Sequence, residues 1–436
     1  MRTKSQKNYK VNVVTLGCSK NTVDSEVLMG QLKANEFNVE HESTKDDADV
    51  VIVNTCGFIE NAKQESIDTI LRFAEAKEEG QLEKLIVTGC LSHRYKEELK
   101  TEIPQVDEWF GTLDMPHLLR RMGADYKHQL LGERLQTTPR HYAYQKISEG
   151  CNRPCSFCAI PLMRGGHVSK PIEDLVAEAK HLVKNGTKEI MLIAQDSTYY
   201  GLDLYGERKL ADLMKSLSDV EGLDWIRLHY AYPSQFPMDV LKVIAERDNI
   251  CSYLDMPVQH MTDRVLKSMR RGITKRRTLE LLGQIREEVP GISLRTTILV
   301  GHPGEEEEDV QELLESLREV KFERLGVFTY SHEDNTHAYT LDDSIPEEEK
   351  QERANRVMEQ QMDISWAFNQ SLMGTAQKVL FDRLDGDSFV GRTQFDSPEV
   401  DNEVWVPAKD QYIRIGDFAQ VKITEATHYD LKGTLV

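Results

Sequence analysis

Seven cysteines are the residues of this 436-residue chain whose spacing most directly indicates chemistry. Cys151, Cys155 and Cys158 form a C-x3-C-x2-C pattern that places three thiolates on one short loop. A closed zinc site needs four ligands, typically in paired C-x2-C units, and neither a fourth Cys nor a nearby His completes this set. Three thiolates on a 4Fe–4S cluster instead leave one iron open to an external ligand. The loop therefore predicts an iron–sulfur centre at which a substrate-like cofactor binds.

Three further cysteines, Cys18, Cys56 and Cys90, each follow a strand-like segment almost immediately and have a glycine beside them. The segments are residues 11–16, 50–53 and 85–88, and the glycines are Gly17, Gly57 and Gly89. A single cysteine is usually a small buried hydrophobe, and we interpret the remaining Cys251 in this way. Three cysteines at successive strand ends favour a shared metal or cluster site, because parallel strands end at the same edge of a sheet.

The elements that must position these cysteines fall into three segments joined by a polar linker. Strand and helix signals alternate in residues 10–127, which predicts a parallel α/β domain. Residues 128–141 are polar and form the predicted linker. Residues 142–371 contain six strand-like segments separated by helices and end in a long connecting helix. Residues 372–436 change to short alternating strands with glycine turns, which is typical of a small, OB-like β-barrel.

The six strands of the middle segment position the loops that follow them. They are expected at residues 142–147, 189–194, 225–230, 253–256, 294–300 and 325–330. The connecting helix is expected to begin at a capping-box spacing from Ser344 to Glu347, and its charges over 347–353 are expected to form a solvated face. Residues 164–167, just past the cysteine loop, either line a substrate entrance or form an exposed turn.

The C-x3-C-x2-C loop, with Phe157 just before its last cysteine, resembles the signature loop of the radical S-adenosylmethionine (SAM) superfamily. This resemblance implies a partial (β/α)6 barrel in which the amino and carboxylate groups of SAM bind the open iron. It also implies that residues after the strand ends hold the rest of SAM. The candidates are Gln195, Asp196, Gln259, His260, Gly301 and Gly304. Alternatives stay open for two of them, because Gly304 follows a proline as in a plain turn and His260 also suits a structural role.

The order of the three segments resembles the methylthiotransferase family over almost the whole chain. The resemblance implies an α/β multidomain protein that ends in a TRAM domain and uses two 4Fe–4S clusters and SAM. Cys18, Cys56 and Cys90 would hold the second, auxiliary cluster, so that all six cysteines are ligands. In such enzymes the barrel cluster and SAM generate a radical that removes hydrogen from an unactivated carbon, and the auxiliary cluster supplies a methylated sulfur.

Members of this family modify either adenosine-37 of certain transfer RNAs or an aspartate of a small-subunit ribosomal protein. Local strings at residues 16–21, 255–260 and 330–333 resemble those of the protein-modifying branch. Residues 372–436 carry seven Lys and Arg against eleven Asp and Glu, a net charge of −4, whereas an RNA-docking barrel is normally basic. We therefore expect methylthiolation of the β-carbon of an aspartate in the basic ribosomal protein S-twelve, free or in the 30S subunit. A tRNA adenosine methylthiotransferase and a non-catalytic iron–sulfur scaffold are the alternatives.

Composition limits the remaining functional classes. The formal charge of −19 suits a basic partner better than a phosphate backbone. No phosphate loop or dinucleotide-binding glycine pattern occurs, so nucleotide hydrolysis and hydride transfer have no support. No apolar run approaches the roughly 18 residues of a membrane span, and we expect a cytoplasmic enzyme without a membrane partner. Its other expected partners are a low-potential electron donor and a sulfur carrier.

Overall fold

The computed structural model describes residues 9–45, 47–130, 132–409 and 412–436. The amino-terminal part is a five-stranded sheet in the order β2-β1-β3-β4-β5, in which all neighbouring pairs are parallel. Its strands are β1 (Lys10–Thr15), β2 (Asn38–His41), β3 (Val50–Thr55), β4 (Lys84–Gly89) and β5 (Glu108–Trp109). Its helices are α1 (Ser19–Ala34), α2 (Glu60–Glu78), α3 (Cys90–Glu102) and α4 (Met115–Arg121). The predicted parallel α/β domain is confirmed.

The centre of this sheet forms because β1, β3 and β4 are rich in β-branched residues that helices cover on both faces. Every residue of β3 is buried. One core lies between the sheet and α2, around Val53 and Ile70, and another lies on the opposite face around Ile52 and Leu28. Such continuous apolar strands are typical of buried parallel sheets. The edge strands β2 and β5 have no comparable pattern, so the sequence did not predict them.

The middle part is a six-stranded parallel sheet in the order β13-β12-β11-β10-β9-β6, curved into a partial barrel. Its strands are β6 (Tyr142–Lys146), β9 (Glu189–Ile193), β10 (Trp225–Leu228), β11 (Ile250–Asp255), β12 (Ser293–Val300) and β13 (Arg324–Thr329), and β7 (Ser148–Glu149) pairs with β8 (Val168–Ser169). The helices are α5 (Ile160–Arg164), α6 (Ile172–Lys184), α7 (Leu202–Tyr205), α8 (Leu210–Ser218), α9 (Asp239–Glu246), α10 (Asp263–Ser268), α11 (Lys275–Glu288), α12 (Glu307–Val320) and α13 (Glu347–Ser371). All six predicted strands are present.

The two faces of the barrel strands differ in chemistry. One face carries aliphatic side chains such as Ile190 and Leu228, which pack against the outer helices in the largest core of the protein. Alternate positions point the other way, because successive side chains of a strand face opposite sides. On that inner face Tyr142, Tyr144 and Met191 pack with Val23 of α1, so the amino-terminal domain covers the β6 side of the barrel.

The carboxy-terminal part is a closed five-stranded barrel in the order β14-β15-β16-β18-β17. Its strands are β14 (Ala376–Asp385), β15 (Ser388–Arg392), β16 (Val404–Pro407), β17 (Phe418–Ala426) and β18 (Leu431–Leu435). This confirms the predicted small β-barrel. Leu380 of β14 packs against Trp225, Cys251 and Tyr253 of the partial barrel. Cys251 is 1% exposed and stays among apolar neighbours, as its structural interpretation expects.

A loop between β15 and β16, residues 393–403, carries carboxylates into the partial barrel; we term it the inserted loop. Asp401 accepts a hydrogen bond from the Tyr253 hydroxyl at 2.8 Å and lies 3.2 Å from Arg295. Glu399 accepts from the Tyr144 hydroxyl at 3.0 Å. These contacts satisfy buried polar groups of the barrel strands, which would be costly without partners.

The start of α13 differs from the prediction in two ways. Its N-cap is Pro346, whose side chain makes no capping hydrogen bond, so the predicted capping box is wrong. The expected solvated face is confirmed for Glu347–Glu349 and Glu352, which are exposed, but it is wrong for Lys350 and Arg353, which are only 1% and 4% exposed. Arg353 pairs with the buried Glu305 at 2.8 Å. The helix packs against the barrel rather than lying free, so it turns these charges inward.

The segment predicted as a linker is packed between the amino-terminal domain and the barrel. The Arg134 side chain is fully buried and lies 3.2 Å from Glu26 of α1 and 3.4 Å from Glu178 of α6. Thr137 donates two further hydrogen bonds to Glu26. The segment therefore packs against both parts through buried ion pairs and hydrogen bonds. In the described part of the chain, no helix combines the length and apolarity needed to cross a bilayer.

Replacing Arg392 by leucine should destabilise the junction between the two barrels. Arg392 is 2% exposed and lies 2.8 Å from Glu189 and 2.7 Å from Asp382. Its loss would leave these buried carboxylates without the positive charge that offsets their own. We expect a loss of roughly 3 kcal/mol or more in the free energy of unfolding, measured in urea. Arg383→Leu is the matched control: it removes an exposed pair with Glu403 and should cost under about 1 kcal/mol. Equal losses would contradict the interpretation.

Candidate active site

The three amino-terminal cysteines lie together at the carboxyl edge of the parallel sheet. Cys18 is the N-cap of α1 after β1, Cys56 directly follows β3, and Cys90 begins α3 directly after β4. Because β1, β3 and β4 are neighbours, the three loops meet at one edge. Burial raises the pKa of the Cys90 thiol to about 12, and the nearby Cys18 and Cys56 also raise it. The thiols are therefore close enough to affect one another's ionisation.

Three glycines allow this close approach of the loops. Gly17 has φ +91°, and a Cβ there would stand 2.9 Å from the Cys56 Sγ. At Gly57 a Cβ would stand 2.7 Å from the Leu91 nitrogen, and at Gly89, with φ +101°, 2.5 Å from the Thr55 carbonyl oxygen. Any side chain at these positions would push the cysteine loops apart.

The chain supplies both positive charge and fixed geometry to this site. Desolvation raises the pKa of the Cys18 thiol, but Lys20, Arg164 and backbone N–H groups at the start of α1 outweigh it, so the pKa is lowered. Ser66 holds the Cys56 backbone: the Cys56 N–H donates to Ser66 Oγ at 3.0 Å, and that hydroxyl donates to the Cys56 carbonyl at 2.9 Å. A lowered thiol pKa favours the thiolate that metals bind.

The second cysteine set lies on the loop between β7 and α5. The Arg153 N–H donates to Cys151 Sγ at 3.4 Å, and Arg271 donates to Cys155 Sγ at 3.2 Å. Burial raises the pKa of the Cys151 thiol to about 11 and also raises that of Cys158. These thiols need a positive partner, such as iron, to ionise at neutral pH.

Each set supplies three thiol donors, which suits an iron–sulfur cluster. In the residues described, no three Cys, His, Asp or Glu side chains have the arrangement of one mononuclear metal site. In a cluster each thiolate binds a different iron, so the sulfurs need not converge on one point. Three thiols on closely packed loops are the donor set that a 4Fe–4S cluster with an open iron requires.

Among the predicted SAM contacts, Gln195 and Asp196 lie beside the barrel cysteine loop. Asp196 is 1% exposed, accepts a hydrogen bond from Arg153 Nε at 2.6 Å and caps the following turn through the Thr198 N–H. Gln195 Nε2 lies 3.4 Å from Glu149, whereas its Oε1 is buried and has no partner among the described atoms. A buried acceptor without a protein partner is free to bind a ligand or a water.

The other predicted SAM contacts form a linked group after β11 and β12. Gln259 has φ +72° and pairs through its backbone with β12. His260 is fully buried, accepts from the Thr262 N–H at 3.1 Å and lies 3.5 Å from Glu305. The Gly301 N–H donates to Glu305 at 2.9 Å. Glu305 thus holds His260 and the Gly301 turn together.

Gly301 and Gly304 occupy different surroundings. A Cβ at Gly301 would stand 2.4 Å from Lys350 Cγ, so this turn packs closely on α13. Gly304 has φ +81° with open space around it, and its carbonyl accepts from Arg264 at 2.7 Å. Gly304 therefore has the environment of a surface turn.

The two cysteine sets meet across Arg164. The sequence left two alternatives open for its segment: the lining of a substrate entrance, or an exposed turn. Arg164 is buried, at 2% exposed, so an exposed turn is wrong for this residue, although Gly166 is exposed. Its Nη1 lies 3.1 Å from Asp24 and 2.9 Å from Glu149, and its Nη2 donates to Asn21. Cys90 packs on residues of the helix that follows Cys158. The sequence contained no signal for this bridge, since its partners are over a hundred residues apart along the chain.

Each set of three cysteines should account for half of the bound iron. We expect about eight irons per chain after anaerobic reconstitution, and about four when either set of three cysteines is replaced by alanine. The measurement is an iron and sulfide assay with the visible absorption spectrum. Cys251→Ala is the control and should keep about eight, because Cys251 lies in an apolar core. A content of about four irons in the wild-type protein would contradict the prediction of an auxiliary cluster site.

The glycine packing gives a second test. Gly89→Ala should lose the auxiliary iron, about four of eight, because its Cβ would meet the Thr55 backbone at 2.5 Å. Gly80→Ala is matched in backbone conformation, with φ +77°, but has nothing within 4 Å of its Cβ, and it should keep all the iron. If both variants retain full iron content, the loops are not held as tightly as described.

Comparisons with known proteins agree with this architecture. Residues 10–111 match the profile described as Uncharacterized protein family UPF0004, residues 146–317 match the Radical SAM superfamily, and residues 373–436 match the TRAM domain. The radical S-adenosylmethionine methyltransferase TsrM from Kitasatospora setae superposes with a TM-score of 0.55 at 14% identity, covering 74% of this chain and 72% of that one. The cobalamin-dependent S-adenosylmethionine radical enzyme OxsB gives 0.53 at 14%, covering 79% and 56%. At these identities the likeness concerns the fold.

Full-length relatives are much more similar. The chain is 60% identical to a protein of Cytophaga hutchinsonii over all of both chains, and 58% identical to one of Flavobacterium johnsoniae over 99% of each. A protein of Phocaeicola vulgatus is 51% identical over 99% of this chain and all of its own. Each is named ribosomal protein uS12 methylthiotransferase RimO. The chain belongs to the ribosomal protein uS12 methylthiotransferase family of radical SAM enzymes.

Proposed function

We propose that this protein is the enzyme that adds a methylthio group to the β-carbon of an aspartate in ribosomal protein uS12. The observation that carries the proposal is the full-length identity of 50–60% to proteins with this name, combined with two adjacent sets of three cysteines. The β-carbon of aspartate bears an unactivated C–H bond, which side-chain acids and bases do not break at useful rates. Two iron–sulfur clusters and SAM therefore fit the reaction.

The residues proposed to hold these groups are the two cysteine sets. Cys151, Cys155 and Cys158 would hold the barrel cluster, and Cys18, Cys56 and Cys90 the auxiliary one. When bound, the barrel cluster with SAM supplies radical chemistry, and the auxiliary cluster supplies sulfur. The chain would tune the barrel cluster by direct contact, because the Arg153 N–H and the Arg271 guanidinium donate to barrel thiols. Hydrogen bonds to cluster sulfurs are among the means by which proteins set cluster potentials.

SAM contacts are proposed in two roles. Gln195 is proposed as a direct contact, because its Oε1 is a buried acceptor without a partner in the described residues. Asp196 orients Arg153, which also lies 4.1 Å over the Tyr232 ring beside Cys155. His260 and Gly301 are tied to Glu305, so we assign them to shaping the SAM site. Gln259 and Gly304 complete the proposed set.

The proposed domain limits follow from the same elements. We place the methylthiotransferase domain at residues 10–127, the linker at 128–141, the radical SAM domain with α13 at 142–371, and the TRAM domain at 372–436. Each limit falls between secondary-structure elements.

Partners follow from the chemistry. A basic ribosomal protein suits a chain with a formal charge of −19. The substrate is uS12, free or within the 30S subunit, which places the enzyme in the cytoplasm. The reaction consumes electrons and sulfur, so we propose a low-potential electron donor and a sulfur carrier as further partners.

Mass spectrometry of uS12 tests the proposed function. Incubating 30S subunits or purified uS12 with reconstituted enzyme, SAM, reductant and sulfide should add a mass corresponding to SCH3 replacing H on one aspartate. Enzyme in which alanine replaces Cys151, Cys155 and Cys158 is the control and should give unmodified protein. Modification of purified tRNA with none on uS12 or 30S subunits would overturn the assignment.

A further inference from the structure

Lys20 is a buried lysine without a carboxylate partner in the described part of the chain. It is 7% exposed and lies in the first turn of α1, two residues after Cys18. No described Asp or Glu forms an ion pair with its ammonium, although Lys146 and Lys350, the other two buried lysines described, each pair with two carboxylates. The Lys20 Nζ lies over the Tyr230 ring, 3.0 Å from its centroid.

The acid one helical turn along the chain from Lys20, and the acid bonded to the backbone of Tyr230, already have partners. Asp24, one helical turn after Lys20, is where an ion-pair partner is usual on a helix. Instead it binds Lys146 and Arg164. Asp255 likewise binds Arg295 at 3.2 Å. A ring face offsets only part of the cost of removing an ammonium from water, so the position favours an additional anion.

Lys20 lies next to both parts of the active site, the amino-terminal cysteines and the barrel. It lies two residues after Cys18, and Tyr230 lies two residues past the end of β10, at the carboxyl ends of the barrel strands. Tyr230 has φ +59°, which is uncommon for a tyrosine, and its N–H donates to Asp255 at 3.1 Å while its carbonyl accepts from the Ser197 N–H at 3.0 Å. Such strained residues cluster at functional sites.

We propose that Lys20 binds the side-chain carboxylate of the substrate aspartate, with Tyr230 holding the ammonium in place. This inference rests on the proposed function and deepens it. The carboxylate is one bond from the β-carbon, so an ion pair here would set that carbon between the auxiliary cysteines and the barrel mouth. It would also select aspartate over asparagine, whose neutral amide cannot replace the charge.

A double-mutant cycle between enzyme and substrate tests the pairing. Binding of uS12 and of its target Asp→Asn variant is measured by anisotropy on anaerobically reconstituted wild type, Lys20→Met and Lys20→Arg. On wild type, Asp→Asn should weaken binding about 30-fold, as expected when one partner of a buried charge pair is lost. On Lys20→Met the two proteins should bind equally, and Lys20→Arg should restore part of the discrimination. Lys33→Met, an exposed lysine on the same helix, should discriminate as wild type does.

The remaining outcomes separate the two proposals. If wild type binds and modifies uS12 but Lys20→Met still discriminates, only the role of Lys20 is overturned. If Lys20→Met loses the auxiliary iron, Lys20 serves the cluster instead, which also overturns it. If wild type neither binds nor modifies uS12, the proposed function fails and this inference fails with it.

Discussion

The buried guanidinium of Arg164 connects the two cysteine sites. It bonds to Asn21 and Asp24 on the helix that starts at Cys18, and to Glu149 just before the barrel cysteine loop. A guanidinium stays charged at any physiological pH and presents its donors in a fixed plane, so it holds three partners in one geometry. Together with the packing of Cys90 on Ala159 and Met163, this contact fixes how the two cysteine sets lie relative to each other. Radical transfer chemistry needs such fixed spacing between the reacting groups.

The same principle operates where the TRAM domain meets the barrel. The inner face of the partial barrel carries buried arginine and tyrosine side chains that require partners. The inserted loop provides Asp396 for Arg324 at 2.6 Å, Glu399 for the tyrosines of β6, and Asp401 for Arg295 and Tyr253. The TRAM domain is thus part of the barrel's internal structure. Its acidic composition partly reflects this role, so its surface is less acidic than the net charge of −4 implies.

Much of the fold and the cysteine sites could be predicted from the residues alone. Cysteines beside glycine at three strand ends indicated one shared edge, since parallel topology brings those ends together whatever the loop details. The C-x3-C-x2-C loop is local in sequence and needs no folding to be recognised. Strands β3 and β12 were predictable because continuous apolar runs have few alternatives. These features depend on short-range pattern, which the sequence contains in full.

The tertiary structure alone decided which charges are buried and what they contact. The sequence pattern of α13 does not distinguish Lys350 and Arg353 from solvent-exposed residues. Only the packing of the helix against the barrel buries them. Arg164 and the inserted loop likewise contact partners more than a hundred residues away. Lys20 looks like any helix lysine until Asp24 is seen bound elsewhere. Long-range ion pairs have no local signal, because their energy depends on which surfaces the fold brings together.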